Sequence, residues 1–503
     1  MHFRKTSTKP AVAANQEGDE AKLNPDSDTN KNETSQLDDS KVHPLNVFKR
    51  RWIVLTLFCF FSMSNAYQWI HLNIVANIIE TYYNASLPTD EYQRELAVDW
   101  LSMVYMLAYI PLIFPASWLL DRKGLRVIII CGTLLNCVGA WLKCISASPD
   151  RFWLLMIAQT ICGIAQIFVL EVPPRLAAVW FGPNEVSTAT SIGVFGNQVG
   201  VAIGFLVPPV IITESGVVEE IGQDLSHMFY GTAGVTTALF LLCLVGFQKQ
   251  PPEPPSRAQM LALQAGLGTD NYLVTLFRLL KNWSYTLLMV TYGMNTGSYY
   301  AISTLLNTVV LKYFPGYQKE VGEIGLTIII SGVGGSIVAG LWLDKTKTFK
   351  STTLMMYLLS LGGMIAFTFT LDLNKIWVIF ISAGVLGFFM TGYLPVGFEF
   401  AVEITFPEPE GTSSGLMNAS AQVFGILFTI GMRTVVNQAS VFAANLSICI
   451  ALLIGLILTC FVRANYRRQK AEMQIMVHET NVVIEEPEVA GENSVLIRNS
   501  SVF

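Results

Sequence analysis

The sequence predicts an all-α polytopic membrane protein with twelve transmembrane helices in two pseudo-symmetric six-helix bundles. Three observations carry that prediction. Of 503 residues, 52% are hydrophobic and 14% charged, with a mean hydropathy of +0.47, far from the balance of a soluble globular chain. About twelve stretches reach the roughly 20 apolar residues that a span requires. Finally, features of the first half recur in the second at offsets of 223 to 225 residues, which marks an internal repeat.

Taken in order, residues 1–46 are rich in Lys, Asp, Asn, Ser and Thr and lack an apolar core. They are expected to form a disordered cytoplasmic tail, neither signal peptide nor span. The first bundle is expected within 47–248, with spans near 52–79, 98–120, 127–147, 152–174, 186–212 and 228–248. Residues 249–281 read as a cytoplasmic linker, opening on PPEPPS and continuing as a short amphipathic helix. The second bundle, 282–463, holds spans near 283–311, 321–343, 352–371, 375–400, 411–436 and 439–462. A disordered, acidic cytoplasmic tail, 464–503, closes the chain, and Glu492 to Ile497 fits a dileucine sorting signal.

Orientation follows from the bases. Lys49, Arg50 and Arg51 precede the first span, and Lys and Arg near span ends stay on the cytoplasmic side. Arg122, Lys123 and Arg126, then Lys249, Arg278 and Lys281, then Lys345, Lys347 and Lys350 fall on the same side, as do Arg463, Arg467 and Arg468. An even number of spans returns both termini to the cytoplasm. Asn84-Ala85-Ser86 is then a glycosylation sequon in the first outer loop. The plasma membrane is the expected location and a monomer the expected state.

The repeat points to working parts. SWLLDRKGLR matches GLWLDKTKTFK, so Asp121 and Arg122 correspond to Asp344 and Lys345. Phe181, Glu185 and Gln198 likewise match Phe406, Glu410 and Gln422. Two such bundles around an axis along the membrane normal, with a site at their interface, is the major-facilitator arrangement. DRKG with Arg126 resembles that superfamily's signature loop, so Asp121, Arg122, Arg126 and Asp344 are expected to latch helix ends. Glu399 and Glu403, one turn apart, are candidates for bundle-closing contacts or gating with Arg175. Glu171 is a further intramembrane acid.

The centre is marked by aromatics and amides. Trp69 follows Trp52 by 17 positions and Tyr300 follows Trp283 by 17, which puts both rings about 26 Å from the start of their helices. Gln198 and Gln422 lie at about 20 Å, near mid-bilayer, where an unpaired amide is costly unless it faces a partner or a cavity. Paired aromatic faces attract a cation that has shed water, above all a quaternary ammonium, and the two amides suit a hydroxyl.

Other chemistries lack support. No basic stripe interleaved with aromatics suggests nucleic acid, and no nucleophile, base or phosphate-cradling loop suggests an enzyme. The eight cysteines, without CxxC spacing, read as free thiols and no metal site is expected. His71 reads as a packing residue within its bundle, and no cofactor is expected.

Four segments, WLSMVYMLAYIPLIFPASWLLDRKGLR, WFGPNEVSTATSIGVFGNQVG, NTGSYYAISTLLN and EFAVEITFPEPEGTSSGLMNASAQVFG, closely resemble the feline leukaemia virus subgroup C receptor family of major-facilitator transporters. The resemblance runs from about Arg51 to Arg463. It implies transport of choline and ethanolamine, with heme export as an alternative activity described for the family. It also implies a choline site on Trp69, Tyr300, Gln198 and Gln422, with Tyr299 adjacent. The expected activity is facilitative alternating access without a coupling ion; heme export and a non-transporting receptor are the alternatives.

Overall fold

The structure is a computed structural model that describes residues 48–182, 185–213, 217–255 and 272–470; the side chains of Asp121, Ser187, Tyr272, Leu273 and Asp344 are also outside the description. The two tails and the 492–497 signal lie almost wholly beyond these residues. Among the described residues the secondary structure is entirely helical. Helices α1 (Arg50–Ile70), α2 (Ala76–Tyr82), α3 (Glu91–Lys123), α4 (Leu125–Ile145), α5 (Phe152–Leu170), α6 (Val172–Trp180), α7 (Val186–Ile211) and α8 (Val218–Gly246) build the first half. The second half has α9 (Tyr272–Lys281), α10 (Trp283–Leu311), α11 (Gln318–Thr346), α12 (Phe349–Thr370), α13 (Ile376–Thr405), α14 (Glu410–Gln438) and α15 (Val441–Cys460).

Eleven segments are long and apolar enough to cross a membrane. The twelfth expected span, α10, has the length but not the composition, and packing explains why. Every residue from Thr291 to Tyr299 is buried, more than two full turns with no face left for lipid. Asn295, Thr296 and Ser298 are tolerated there because protein, not hydrocarbon, surrounds them.

Helix starts follow local chemistry. The side chains of Asp90, Asn282 and Ser440 accept the backbone N–H groups of Gln93, Tyr285 and Ala443, capping α3, α10 and α15 as short polar side chains do at helix N-termini. Close packing follows from glycine. A methyl group at Gly200 would strike the Met63 carbonyl, and one at Gly204 would come within 2.7 Å of Ile70, so the glycine stripe brings α7 against the α1 backbone. Gly293 and Gly297 do the same for α10 against Ser420 and Phe424 of α14. The α1–α7 and α10–α14 pairs are thus repeat equivalents.

One departure from expectation matters. The first span is not continuous: α1 stops at Ile70, residues Asn73–Val75 form one 3₁₀ turn, and α2 resumes at Ala76. The break frees the Ile74 carbonyl, which accepts from Asn307 at 2.8 Å and Gln318 at 2.9 Å. Both donors belong to the second half, so interruption of one helix creates a joint between halves.

For orientation we call the end carrying Arg51, Gly246 and Trp283 the basic end and the end carrying Asn84 the sequon end. Asn84 is exposed in the turn after α2, and the Ser86 hydroxyl donates to the Pro149 carbonyl at 2.7 Å. All eight cysteines are free, with Cys460 exposed.

Candidate functional site

The α1–α7 register sets depth. Gly196 meets Cys59 and Gly200 meets Met63, so Gln198 lies level with the middle of α1, and Trp69 is about two turns farther toward the sequon end. In the second half Gly293 meets Ser420 and Gly297 meets Phe424, so Gln422 lies below Tyr300 in the same sense. Helical side chains lean toward their own N-terminus, which tilts both rings back toward the glutamines.

The rings meet. Trp69 and Tyr300 have centroids 5.5 Å apart at an interplanar angle of 74°, presenting two faces near a right angle. Trp69 is 6% exposed, and Tyr300 is partly buried against the main core. Tyr299, the neighbour that sequence could not separate from Tyr300, has its centroid 5.7 Å from the Tyr300 ring; it is Tyr300 that faces Trp69.

At the level of the two glutamines, buried polar atoms lack protein partners: Gln198 Oε1, Gln422 Nε2 and both amide atoms of Asn295. A methyl on Gly425 would lie 2.8 Å from Met106 Sδ and 3.1 Å from the Tyr300 ring, so α3 and α14 close on the rings from the side. Orphaned donors and acceptors are rare in finished cores. Their concentration at one level suits a site that takes a small polar guest or water.

Two polar systems that sequence reasoning missed frame this level. Toward the sequon end, Arg433 of α14 is 1% exposed in its side chain and forks onto Asp99 of α3 at 2.6 and 2.8 Å. It also donates to Thr308 of α10 at 3.1 Å and lies 3.2 Å from Glu95. Ser102 with Thr304 and Tyr92 with Thr434, each pair at 2.9 Å, bridge the same seam. Asp99 lies seven residues from Met106, about 10 Å farther toward the sequon end, and Arg433 neutralises it. Its position just inside the second span's apolar run was the only signal in the sequence; nothing local identified a partner so distant in the chain.

The second system lies inside the first bundle. Lys143 Nζ donates to Gln68 Oε1 at 2.9 Å, Gln68 Nε2 donates to Asn136 Oδ1 at 3.0 Å, and Asn65 Nδ2 donates to Asn136 Oδ1 at 3.0 Å. Gln159 of α5 donates to the Gln68 carbonyl at 3.2 Å. This clamp fixes the rotation of α1, so that Gln68 faces its own bundle and Trp69 faces the other. Gln68→Leu removes the amide acceptor of a buried ammonium and is expected to lower stability by about 1.5–3 kcal/mol. Lys143→Met should cost less, and Gln68→Leu/Lys143→Met should recover most of the loss. Thermal unfolding of the purified variants checks this cycle.

The remaining expected residues fall elsewhere. Arg122 lies over the Trp118 ring at 5.2 Å, and Arg126 donates to the Leu244 carbonyl at 3.3 Å, both within the first half. The side chains of Asp121 and Asp344, the acids of the expected latch, are outside the description. Glu403 is buried and accepts from the Gln469 backbone at 2.9 Å, whereas Glu399 is exposed on the same helix. Glu171 accepts from the Ser117 hydroxyl at 2.9 Å. Glu185 pairs with Arg51 at 2.9 Å and its repeat equivalent Glu410 with Arg468 at 3.3 Å. His71 sits between Tyr67 and Phe229 with Nδ1 3.0 Å from the Gln68 carbonyl, turned into its own bundle. No cluster of three potential metal ligands occurs among the described residues.

A helical bundle pair with a buried central site defines a membrane transporter class, and sequence comparison agrees: the chain belongs to the major facilitator superfamily, whose model matches residues 54–429. Among solved structures, a D-xylose–proton symporter superposes with a TM-score of 0.61 at 14% identity, covering 82% of this chain and 98% of that one, a likeness of fold. Within the superfamily the chain belongs to the feline leukaemia virus subgroup C receptor (FLVCR) family. The choline/ethanolamine transporter flvcr2a of Danio rerio is 50% identical over 438 residues, 87% of this chain and 92% of that protein. The choline/ethanolamine transporter FLVCR2 of Homo sapiens is 48% identical over 432 residues, 86% and 81% of the two chains. FLVCR1 of Felis catus, also named a choline/ethanolamine transporter, is 48% identical over 427 residues, 85% and 75%.

Proposed function

We propose that the protein is a facilitative, alternating-access carrier of choline and ethanolamine. The observation that carries this reading is the corner formed by Trp69 and Tyr300, one ring from each half, at 5.5 Å and 74°. A trimethylammonium group in that corner touches both electron-rich faces at once. Gln198 and Gln422, with partnerless amide atoms, then meet the hydroxyl. Ethanolamine offers less surface to the rings but adds N–H donors, so it relies more on the amides. The names borne by relatives at about half identity support the same substrates.

Transport requires the site to face each side in turn. In this conformation the Arg433–Asp99 seam closes the sequon end, and opening that end requires the seam to part. With the basic end in the cytoplasm and the protein in the plasma membrane, the membrane potential contributes about 2.3 kcal/mol per unit charge per 100 mV. That drives a monovalent cation inward without a coupled ion. Heme fits the site less well: it is a dianion, the ring corner offers it neutral amides, and His71 is engaged inside its bundle.

Purified protein in liposomes, offered labelled choline, ethanolamine and heme with and without a potassium diffusion potential, tests the proposal. Choline and ethanolamine are expected to accumulate under an inside-negative potential without proton or sodium gradients. Heme flux with no choline flux would overturn it.

A further inference from the structure

The charged cavity at the basic end of the second half is separate from the ring site. It has a volume of about 560 Å³ and lies between α9, the start of α10, the end of α13 and the chain leaving α15. Arg278, Lys281, Arg463 and Arg467 line it, against one acid, Glu408. Glu408 lies 3.6 Å from Arg278; the other three cations have no carboxylate partner among the described residues. We propose that this cavity binds the phosphorylated headgroup of an anionic lipid.

Three features argue for that occupant. Several unneutralised cations converging on one concavity suit a multiply charged phosphate group, and arginine forks match phosphate oxygens. Trp283 lines the cavity and is 69% exposed, and Phe277 and Phe461, one residue before Arg278 and two before Arg463 in the chain, are 71% and 66% exposed; such a rim suits acyl chains and interfacial anchoring rather than water. A soluble phosphate ester would use the cations and leave that rim idle. Helix α9 also carries Val274, Phe277 and Leu280 exposed opposite buried Thr275 and Leu279, the pattern of a helix lying on a membrane surface. A headgroup in the cavity ties this linker helix to the ends of α13 and α15. The availability of anionic lipid at this end rests on the cytoplasmic orientation proposed above; the site itself does not.

The test uses full-length purified protein and a fluorescent short-chain phosphatidylinositol bisphosphate, so its outcome is independent of substrate and orientation. Arg463→Gln/Arg467→Gln is compared with the charge-matched Lys123→Gln/Lys345→Gln, placed outside the cavity, both checked for monodisperse elution. Binding is expected to weaken at least tenfold in the cavity variant alone, and soluble inositol trisphosphate to compete at least tenfold less well than the lipid. Equal weakening in both variants, or none in the cavity variant, overturns the site. Equal competition by the soluble headgroup overturns the lipid as its occupant.

Discussion

Trp69→Ala is expected to raise the half-saturation concentration for choline about 30-fold or more. A desolvated ring face contributes about 2 kcal/mol to a cation, and each 1.4 kcal/mol is tenfold in affinity. The substitution also removes a buried side chain, which by itself costs about 3–5 kcal/mol of stability, so the assay must separate binding from folding. Uptake into proteoliposomes normalised to reconstituted, monodisperse protein does so. Trp69→Phe should recover part of the affinity by restoring a face. Tyr300→Ala should behave like Trp69→Ala, and the two changes together should cost less than their sum because the rings also pack on each other. Ethanolamine should suffer less than choline, since its ammonium spreads less surface over the rings.

Asp99→Asn is expected to shift the conformational equilibrium by about 1.5–3 kcal/mol against the state described here, because it removes the bidentate carboxylate and leaves the buried guanidinium only Glu95, 3.2 Å away, as a carboxylate partner among the described residues. Arg433 has its side chain at 1% exposure, and the bidentate contact with Asp99 joins α14 of one half to α3 of the other. A shift of that size changes the ratio of two states by about 10- to 100-fold. The sequon end should open, and transport should fall because return to the closed state becomes rare. Ser102→Cys, placed against Thr304 in the seam, supplies the readout. An impermeant thiol reagent should label it far faster in the Asp99→Asn background than alone. Unchanged labelling would mean that the ion pair is not what holds this end shut.

The common depth of the two rings was legible in the sequence because both halves repeat it. The spacing from Trp52 to Trp69 and from Trp283 to Tyr300 placed two rings at one level, and the repeat placed Gln198 and Gln422 below them. The span of α10 counts among the apolar stretches, although Asn295, Thr296 and Ser298 leave it more polar than the eleven others. What escaped were relations across the fold. Asp99 and Arg433 each sit near the end of an apolar run, where charge usually means water, and only tertiary packing makes them partners. The break after Ile70 escaped for the same reason: residues Asn73–Val75 are helix-compatible, and the alternative depends on Asn307 and Gln318 taking the Ile74 carbonyl. Lys143 escaped likewise, because its partner Gln68 and the Asn136 beyond it belong to other turns and helices.

The central claim is that two ring faces from opposite halves recognise positive charge, and competition by a neutral twin of choline tests it most directly. In 3,3-dimethylbutan-1-ol a carbon replaces the nitrogen, keeping shape, hydroxyl and apolar surface while removing the charge. Labelled choline uptake into proteoliposomes should be blocked by unlabelled choline and remain nearly unaffected by a hundredfold excess of the neutral compound. Equal inhibition by the two would show that the corner between Trp69 and Tyr300 reads shape alone, and would contradict the account.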